Sequence, residues 1–299
     1  MRHFVDLKDF DSDRLQAMLE TAAQMKSGTD KSQPLAGKYV GMIFEKPSTR
    51  TRVSFEVGIS QLGGTPVVLP ASDLQLGRGE SVADTARVLS RYLDAVMIRA
   101  LRHETVTELA EYADIPVING LTNLSHPCQI MADLQTILER LGSLTGIKIC
   151  WLGDGNNVAN SWIEAAALFG FELWLAGPEA YRPPAALLAW ARAKGANITL
   201  TEDPLAAATD ASVIVTDVWV SMGDEQGSRE RDMQPFKATA KLMETAQPDA
   251  IFLHCLPAIR GQEVEAEVID GPQSTVFDEA ENRLHAQKAI MAHIISENF

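Results

Sequence analysis

The sequence predicts an α/β protein of two domains, each a parallel sheet flanked by helices, with a C-terminal helix packing back on the first domain. Three observations predict it. Strand-like and helix-like segments alternate along all 299 residues. Short runs such as Ile149-Cys150-Trp151-Leu152 and Val213-Ile214-Val215 are apolar throughout, as strands covered on both faces are. Unusual polar clusters follow directly on strands, where open parallel sheets bind ligands.

Strands are expected at 38–44, 65–69, 94–98, 115–118, 147–152, 171–176, 197–201, 212–216 and 250–253. Helices are expected at 11–26, 49–62, 81–92, 103–113, 127–141, 157–169, 183–194, 237–246 and 280–297. Gly142-Ser143-Leu144-Thr145-Gly146 follows the helix 127–141 and precedes a new strand, which places a domain break there. The domains are then 1–142, which the C-terminal helix 280–299 is expected to complete, and 143–279; the residues of that helix by themselves suit packing on either half. In that last helix Leu284, Met291, Ile294 and Ile295 share one face.

The chain is 46% hydrophobic and 22% charged, which excludes a disordered protein. No apolar run reaches the ~20 residues needed to span a bilayer, so no membrane partner is expected. The N-terminus has no apolar core of a secretory leader, and Cys128, Cys150 and Cys255 are too few and too scattered for a disulfide framework. A cytoplasmic location is the expectation. The net charge of −14 argues against nucleic acid as a partner and makes clustered arginines more informative.

The densest cluster is Ser48-Thr49-Arg50-Thr51-Arg52, between the strand 38–44 and the helix 49–62. Hydroxyls, guanidiniums, open backbone N–H groups and the positive helix end together suit a phosphate. A plain N-cap with solvated arginines is the competing reading. Arg99 follows the strand 94–98 and suits bidentate pairing with a phosphate or polarising a carbonyl; a surface charge is the competing reading. In His126-Pro127-Cys128-Gln129, Pro127 fits the first helical position, so His126 and Gln129 flank a helix start. His126 there suits hydrogen bonding to a carbonyl oxygen, or capping; His126 and Cys128 lack zinc-ligand spacing, and no metal is expected.

Gly153-Asp154-Gly155-Asn156-Asn157-Val158 begins like a dinucleotide fingerprint, but Val158 stands where its third glycine belongs. The strand-turn-helix geometry remains, with Asn156 and Asn157 placed to bind a polar substrate. Asp217 ends a strand and leads through Ser221-Met222-Gly223 into a polar stretch to Glu230, read as an ordinary loop or a lid. His254-Cys255-Leu256-Pro257 ends the last strand; adjacent extended residues point to opposite sides, which disfavours a His254–Cys255 nucleophilic pair.

Taken in order, Ser48-Thr49-Arg50-Thr51, His126-Pro127-Cys128-Gln129, Asp217 with Ser221-Met222-Gly223, His254-Cys255-Leu256-Pro257 and Glu279-Ala280-Glu281-Asn282-Arg283 resemble the aspartate/ornithine carbamoyltransferase family over essentially the whole chain. The resemblance is to its ornithine-using members. It implies transfer of the carbamoyl group of carbamoyl phosphate to the δ-amine of L-ornithine, giving L-citrulline and phosphate, an arginine-biosynthetic step of urea-cycle type that needs no cofactor. It implies that 1–142 binds carbamoyl phosphate and 143–279 ornithine. Ser48, Thr49, Arg50 and Thr51 would hold the phosphate, and Arg99, His126, Gln129 and Arg283 the carbamoyl end. Asn157, Asp217, Ser221 and Met222 would hold ornithine, with Cys255 and Leu256 at the attacking amine. Arg99, His126, Asp217, Cys255 and Arg283 are the catalytic set so implied. The loop Asp73 to Glu80 lacks the lysine that the aspartate-using relatives lend to a neighbouring subunit. Gln75 resembles the residue lent instead by ornithine-using members, which implies a homotrimer with shared active sites. Alternatives are transfer to putrescine or N-acylornithine, and a non-catalytic binding subunit of the same family.

Overall fold

The computed structural model describes residues 3–70, 79–219 and 226–296. The chain divides into two compact units, Met1–Ala132 with Glu281–Phe299, and Asp133–Ala280. The division falls inside a helix, ten residues before the glycine-flanked break expected from the sequence.

The first unit holds β1 (Tyr39–Phe44), β2 (Thr65–Pro70), β3 (Ala95–Arg99) and β4 (Val117–Leu121). All pair in parallel, in the order β2-β1-β3-β4. Around them lie α1 (Ser12–Ser27), α2 (Thr49–Gln61), α3 (Val82–Leu89), α4 (His103–Tyr112) and the start of α5 (Pro127–Leu141). The second unit holds β5 (Lys148–Leu152), β6 (Glu172–Ala176), β7 (Ile198–Thr201), β8 (Val213–Thr216) and β9 (Ile251–His254), parallel in the order β7-β6-β5-β8-β9. Its helices are α6 (Asn157–Phe169), α7 (Ala185–Ala193), α8 (Pro204–Ala208), α9 (Gln226–Met233), α10 (Ala240–Met243) and α11 (Ala266–Ile269). The last helix, α12 (Val276–Ile295), runs into the first unit. Among the described residues no helix is long and apolar enough to cross a membrane.

Each sheet reverses its winding once: between β1 and β3, and between β5 and β8. At such a switch point the loops above the two strands diverge and leave a crevice for a ligand. Pairing levels the strand ends there: Phe44 lies opposite Arg99, Leu152 opposite Thr216, and Thr216 opposite His254. The residues that follow therefore emerge side by side.

From Asn282 to Ile295, within the first unit, α12 is almost wholly buried. A Cβ on Gly58 of α2 would meet Lys288 Cγ at 3.2 Å, Leu284 Cδ1 at 3.4 Å and Met291 Cε at 3.4 Å, so glycine lets the two helices approach. Lys26 Nζ of α1 donates to Asn282 Oδ1 (2.7 Å) and Lys288 Nζ to Gln61 Oε1 (3.1 Å). These contacts hold Arg283 against the α2 N-terminus.

The expected strands and the longer helices are present. Three short helices, α8, α9 and α11, were not expected, and α12 begins at Val276 rather than 280. The reading of residues 226–230 as loop is corrected by α9. That helix is polar in sequence and held by tertiary contacts: Arg229 pairs with Asp154 and lies 4.9 Å from the Tyr181 ring centroid, and Met233 is fully buried.

Candidate active site

At the switch point of the first unit, Ser48 caps α2, its Oγ accepting from the Thr51 N–H (3.3 Å). The cap reading is thus correct, but the same Oγ also accepts from Arg99 Nη1 (3.3 Å). Arg99 Nη1 further donates to Thr51 Oγ1 (3.4 Å), and so does Arg283 Nη2 (3.2 Å). Thr51 is 1% exposed, and its hydroxyl, accepting from two guanidiniums, retains one hydrogen to donate. Thr49 and Arg50 are exposed at the helix start.

Arg283, itself buried, donates through Nη1 to Gln129 Oε1 (2.7 Å) and approaches His126 Nε2 (3.4 Å). A guanidinium has only donors, so Nε2 accepts and the imidazole proton sits on Nδ1. Burial holds the His126 pKa well below 6.5, and the charges of Arg283, Arg99 and Arg50 lower it further. His126 is therefore a neutral hydrogen-bonding group at neutral pH, not an acid. Cys128, one residue past Pro127, is buried, its pKa pushed up by burial to about 12; its Sγ–H donates to the Asn119 carbonyl (3.3 Å), tying α5 to β4.

In the second unit, Asn156 caps α6, its Oδ1 accepting from the N–H groups of Val158 and Ala159 (2.9 and 3.0 Å). Its Nδ2 donates to Asp217 Oδ2 (3.0 Å). Asp217 Oδ1 accepts from Cys255 Sγ (3.1 Å). Burial raises the Cys255 pKa well above 9.0, and the negative charges of Asp217, Glu279 and Asp133 raise it further. Cys255 is thus a thiol that donates, not a thiolate nucleophile. Asn157, half-buried, opens α6 beside this pair.

Leu256 sits in the left-handed region (φ 55°), with its N–H bonded to His254 Nδ1 (2.9 Å). A non-glycine residue there costs about 1–2 kcal/mol, so the His254 bond has strain to offset. His254 Nε2 faces Glu263 Oε1 (3.2 Å). Asp217, His254 and Cys255 bring ligand-type atoms within 4.8 Å of one another. With Nδ1 accepting and Nε2 donating, the imidazole has no lone pair left for a metal in this arrangement.

The structure brings Ser48, Thr51, Arg99, His126, Gln129 and Arg283 together, with Thr49 and Arg50 at the same helix start. It likewise joins Asp217 and Cys255, with Asn157 and Leu256 on adjoining turns. Gln75, Ser221 and Met222 lie outside the described residues. Residues the sequence did not single out also contribute. Gln287, with its amide oriented to suit its neighbours, accepts from Arg283 Nη2 (3.1 Å) and donates to Ser54 Oγ (2.7 Å). It stands four residues after Arg283 on one helix, the spacing that signals such a contact. Asp154 pairs with Arg229, yet its pKa is raised to about 6, first by burial and then by Asp217.

Each unit thus carries a polar cluster at the switch point of its own parallel sheet. Residues 2–139 match the carbamoyl-P binding domain of aspartate/ornithine carbamoyltransferases, and residues 145–294 match their Asp/Orn binding domain. The chain belongs to the aspartate/ornithine carbamoyltransferase family. Within it, the chain is 55% identical to the ornithine carbamoyltransferase of Bradyrhizobium diazoefficiens, over 97% of this chain and 96% of that one. It is 55% identical to that of Symbiobacterium thermophilum over 99% and 98%. The solved ornithine carbamoyltransferase of Pyrococcus furiosus superposes with a TM-score of 0.94 at 48% identity, covering 98% of this chain and 97% of that one. The anabolic enzyme of Campylobacter jejuni superposes with a TM-score of 0.94 at 40% identity, covering 98% and 99%.

Proposed function

We propose that the protein is an ornithine carbamoyltransferase, converting carbamoyl phosphate and L-ornithine to L-citrulline and phosphate. The observation that carries this reading is the opposed charge of the two half-sites. One presents Arg50, Arg99 and Arg283 at a helix N-terminus; the other presents Asp217 hydrogen-bonded to a protonated thiol.

Residues 1–142 with 280–299 bind carbamoyl phosphate, and 143–279 bind ornithine. The α2 N–H groups with Ser48, Thr49 and Arg50 neutralise the phosphate as it leaves. Thr51, Arg99, His126, Gln129 and Arg283 address the carbamoyl group, and the carbonyl oxygen gains negative charge as the amine attacks. Thr51 has its hydroxyl hydrogen to give to that oxygen, and the two arginines that bond Thr51 Oγ1 polarise it. Ornithine is held by Asn157, Asp217, Ser221 and Met222, with Cys255 and Leu256 at the δ-amine.

The amine lone pair forms a C–N bond to the carbonyl carbon. The C–O bond to phosphate breaks, and its electron pair leaves with the phosphate. The amine must shed a proton before attack, and Asp217 is the acceptor placed for it, since Cys255 already holds its own. The second proton lost in forming the urea nitrogen leaves on the phosphate. No covalent enzyme intermediate is needed, and much of the acceleration comes from holding two reactants in line.

The same reading makes the enzyme a cytoplasmic homotrimer in which Gln75 completes a neighbour's phosphate site. Citrulline formation from the two substrates tests the function, with putrescine and N-acylornithine run beside ornithine. A well-folded protein that forms no citrulline, or that uses another amine faster, would refute it.

A further inference from the structure

The turn that delivers His126 is fastened to the N-terminal segment by buried polar contacts that the reaction does not use. Phe4 adds to the edge of the first sheet, its N–H donating to the Val117 carbonyl (2.8 Å) and its carbonyl accepting from the Asn119 N–H (2.8 Å). This places Asp6, 3% exposed, above the end of β4. Asp6 Oδ1 accepts from Ser125 Oγ (2.5 Å), and Ser125 directly precedes His126. Ser125 Oγ accepts in turn from Asn119 Nδ2 (3.0 Å), which also donates to the Val5 carbonyl (3.0 Å).

A second arm reaches the other end of the same turn. His103 Nε2 lies 3.4 Å from Asp6 Oδ2, and His103 Nδ1 lies 3.0 Å from Thr122 Oγ1. The Thr122 hydroxyl accepts from the N–H groups of Leu124 and Ser125 (3.2 Å each), and its own N–H donates to the Ser125 carbonyl (3.0 Å). Lys8 Nζ lies 3.0 Å from Asp6 Oδ2, and Asp6 also forms a capping box with Asp9, whose Oδ2 accepts from the Asp6 N–H (3.1 Å). Hydrogen bonding to Ser125 and His103 and the charge of Lys8 keep Asp6 ionised, overcoming its burial, with a pKa of about 2.

We infer that Asp6 is a positioning residue for carbamoyl transfer, gripping Ser125 and, through His103, Thr122, so that the turn 122–125 presents His126 in one fixed place. The inference rests on the proposed reaction, in which His126 addresses the carbamoyl group. A buried carboxylate tied directly to one end of a four-residue turn, and through His103 to the other, resists its rotation; a solvated one would not. A displacement of His126 by a fraction of an ångström then appears in catalysis.

The test is a double-mutant cycle on the full-length enzyme, using Asp6→Ala, His126→Ala and the double variant, with kcat/KM for carbamoyl phosphate measured at saturating ornithine. Asp6→Ala is expected to lower it about tenfold, with little change in the KM for ornithine. In the His126→Ala background the same change is expected to cost less than about twofold, because there is no imidazole left to position. Asp6→Asn, which keeps an acceptor for Ser125, should recover most of the loss. Multiplying effects in the double variant, or a loss of melting temperature with unaltered kinetics, would overturn the inference. If Asp6→Ala does not fold, Ser125→Ala replaces it in the same cycle, since it cuts the link and leaves Asp6 with His103 and Lys8. A His126→Ala enzyme with unimpaired use of carbamoyl phosphate would instead overturn the proposed site, which separates the two failures.

Discussion

Replacing Thr51 by valine isolates the hydroxyl on which Arg99 and Arg283 converge. The two side chains are nearly equal in volume, so the substitution opens no cavity at a position 1% exposed. Two effects follow. The guanidinium bonds to Thr51 Oγ1 are long, at 3.4 and 3.2 Å, so the low end of the range for charged hydrogen bonds applies, about 1.5 kcal/mol each. Both arginines keep other partners, so the loss of stability is about 1–3 kcal/mol. The larger effect is on catalysis, because in the proposed mechanism the hydroxyl hydrogen is the donor offered to the carbonyl oxygen as charge develops there. Loss of such a donor costs about 3 kcal/mol, or about 10²-fold in rate. Citrulline formation over a carbamoyl phosphate series, beside thermal melts, measures both. Thr51→Ser, which keeps the hydroxyl, should stay within about tenfold of the parent. A Thr51→Val enzyme that melted earlier but retained kcat/KM within about threefold would refute the reasoning, showing the hydroxyl to be a tie between arginines and nothing more.

Arg50→Ala should raise the KM for carbamoyl phosphate by about 10²-fold or more, because an exposed guanidinium at the α2 start is removed from a dianion; initial-rate kinetics measure it. Cys255→Ala should mainly weaken ornithine use, and in the parent enzyme Cys255 should react with iodoacetamide at pH 7.5 far more slowly than a free cysteine, since its pKa is raised well above 9.0; peptide mass spectrometry reads the rate. His126 has a lowered folded pKa, so its contribution to stability is present above 6.5 and is lost as pH falls from there towards the folded value. Urea unfolding at pH 7.5 and 5.5 should therefore show a smaller loss on acidification in His126→Gln than in the parent. Asp154 has the opposite sign: its folded pKa is raised to about 6, so the cost of its buried charge appears as pH rises through 6. Arg229→Met removes the cation that offsets that cost, and should lower the melting temperature more at pH 8 than at pH 5.

The sheet framework was legible because its strands are short apolar runs between turn signals, and a parallel sheet allows little else. The short helices were not. α8 and α11 span only one turn or so, too little for a periodic apolar face to register, although Asp203-Pro204 is a recognisable start: Asp203 Oδ1 accepts from the N–H groups of Leu205 and Ala206. α9 is polar except for Met233, and the contacts that hold it, such as the pairing of Arg229 with Asp154 across 75 residues, are remote in sequence. Most residues of the candidate site were legible by position, since they stand at or just after the end of a strand; Arg283, within α12, was legible only through the family resemblance. Their partnerships were not. Arg283 meets Thr51 across 232 residues and Asp6 meets Ser125 across 119, and no local pattern encodes such contacts. Thr51 could be read as one hydroxyl in a polar helix start. That it is the acceptor shared by two arginines follows only from the burial of α12 against α2.

The acidity of the second half-site bears directly on which amine is used. Asp217 accepts from Asn156 and Cys255 and is only 9% exposed, so its charge acts in a poorly solvated place. At an effective dielectric near 20, a unit charge about 4 Å away interacts with it by about 4 kcal/mol. An ammonium group of ornithine gains that energy, and a second carboxylate of aspartate pays it. The swing between them is several kcal/mol, more than 10³-fold in binding, before any shape is considered. The same carboxylate stabilises the ammonium form, which cannot attack, so what favours binding opposes reaction unless the proton has somewhere to go. Burial and the surrounding carboxylates keep Cys255 protonated, so in the proposed mechanism the acceptor is Asp217 and not the thiol. The proposed mechanism thus rests both selectivity for a cationic substrate and the means of neutralising it on one side chain.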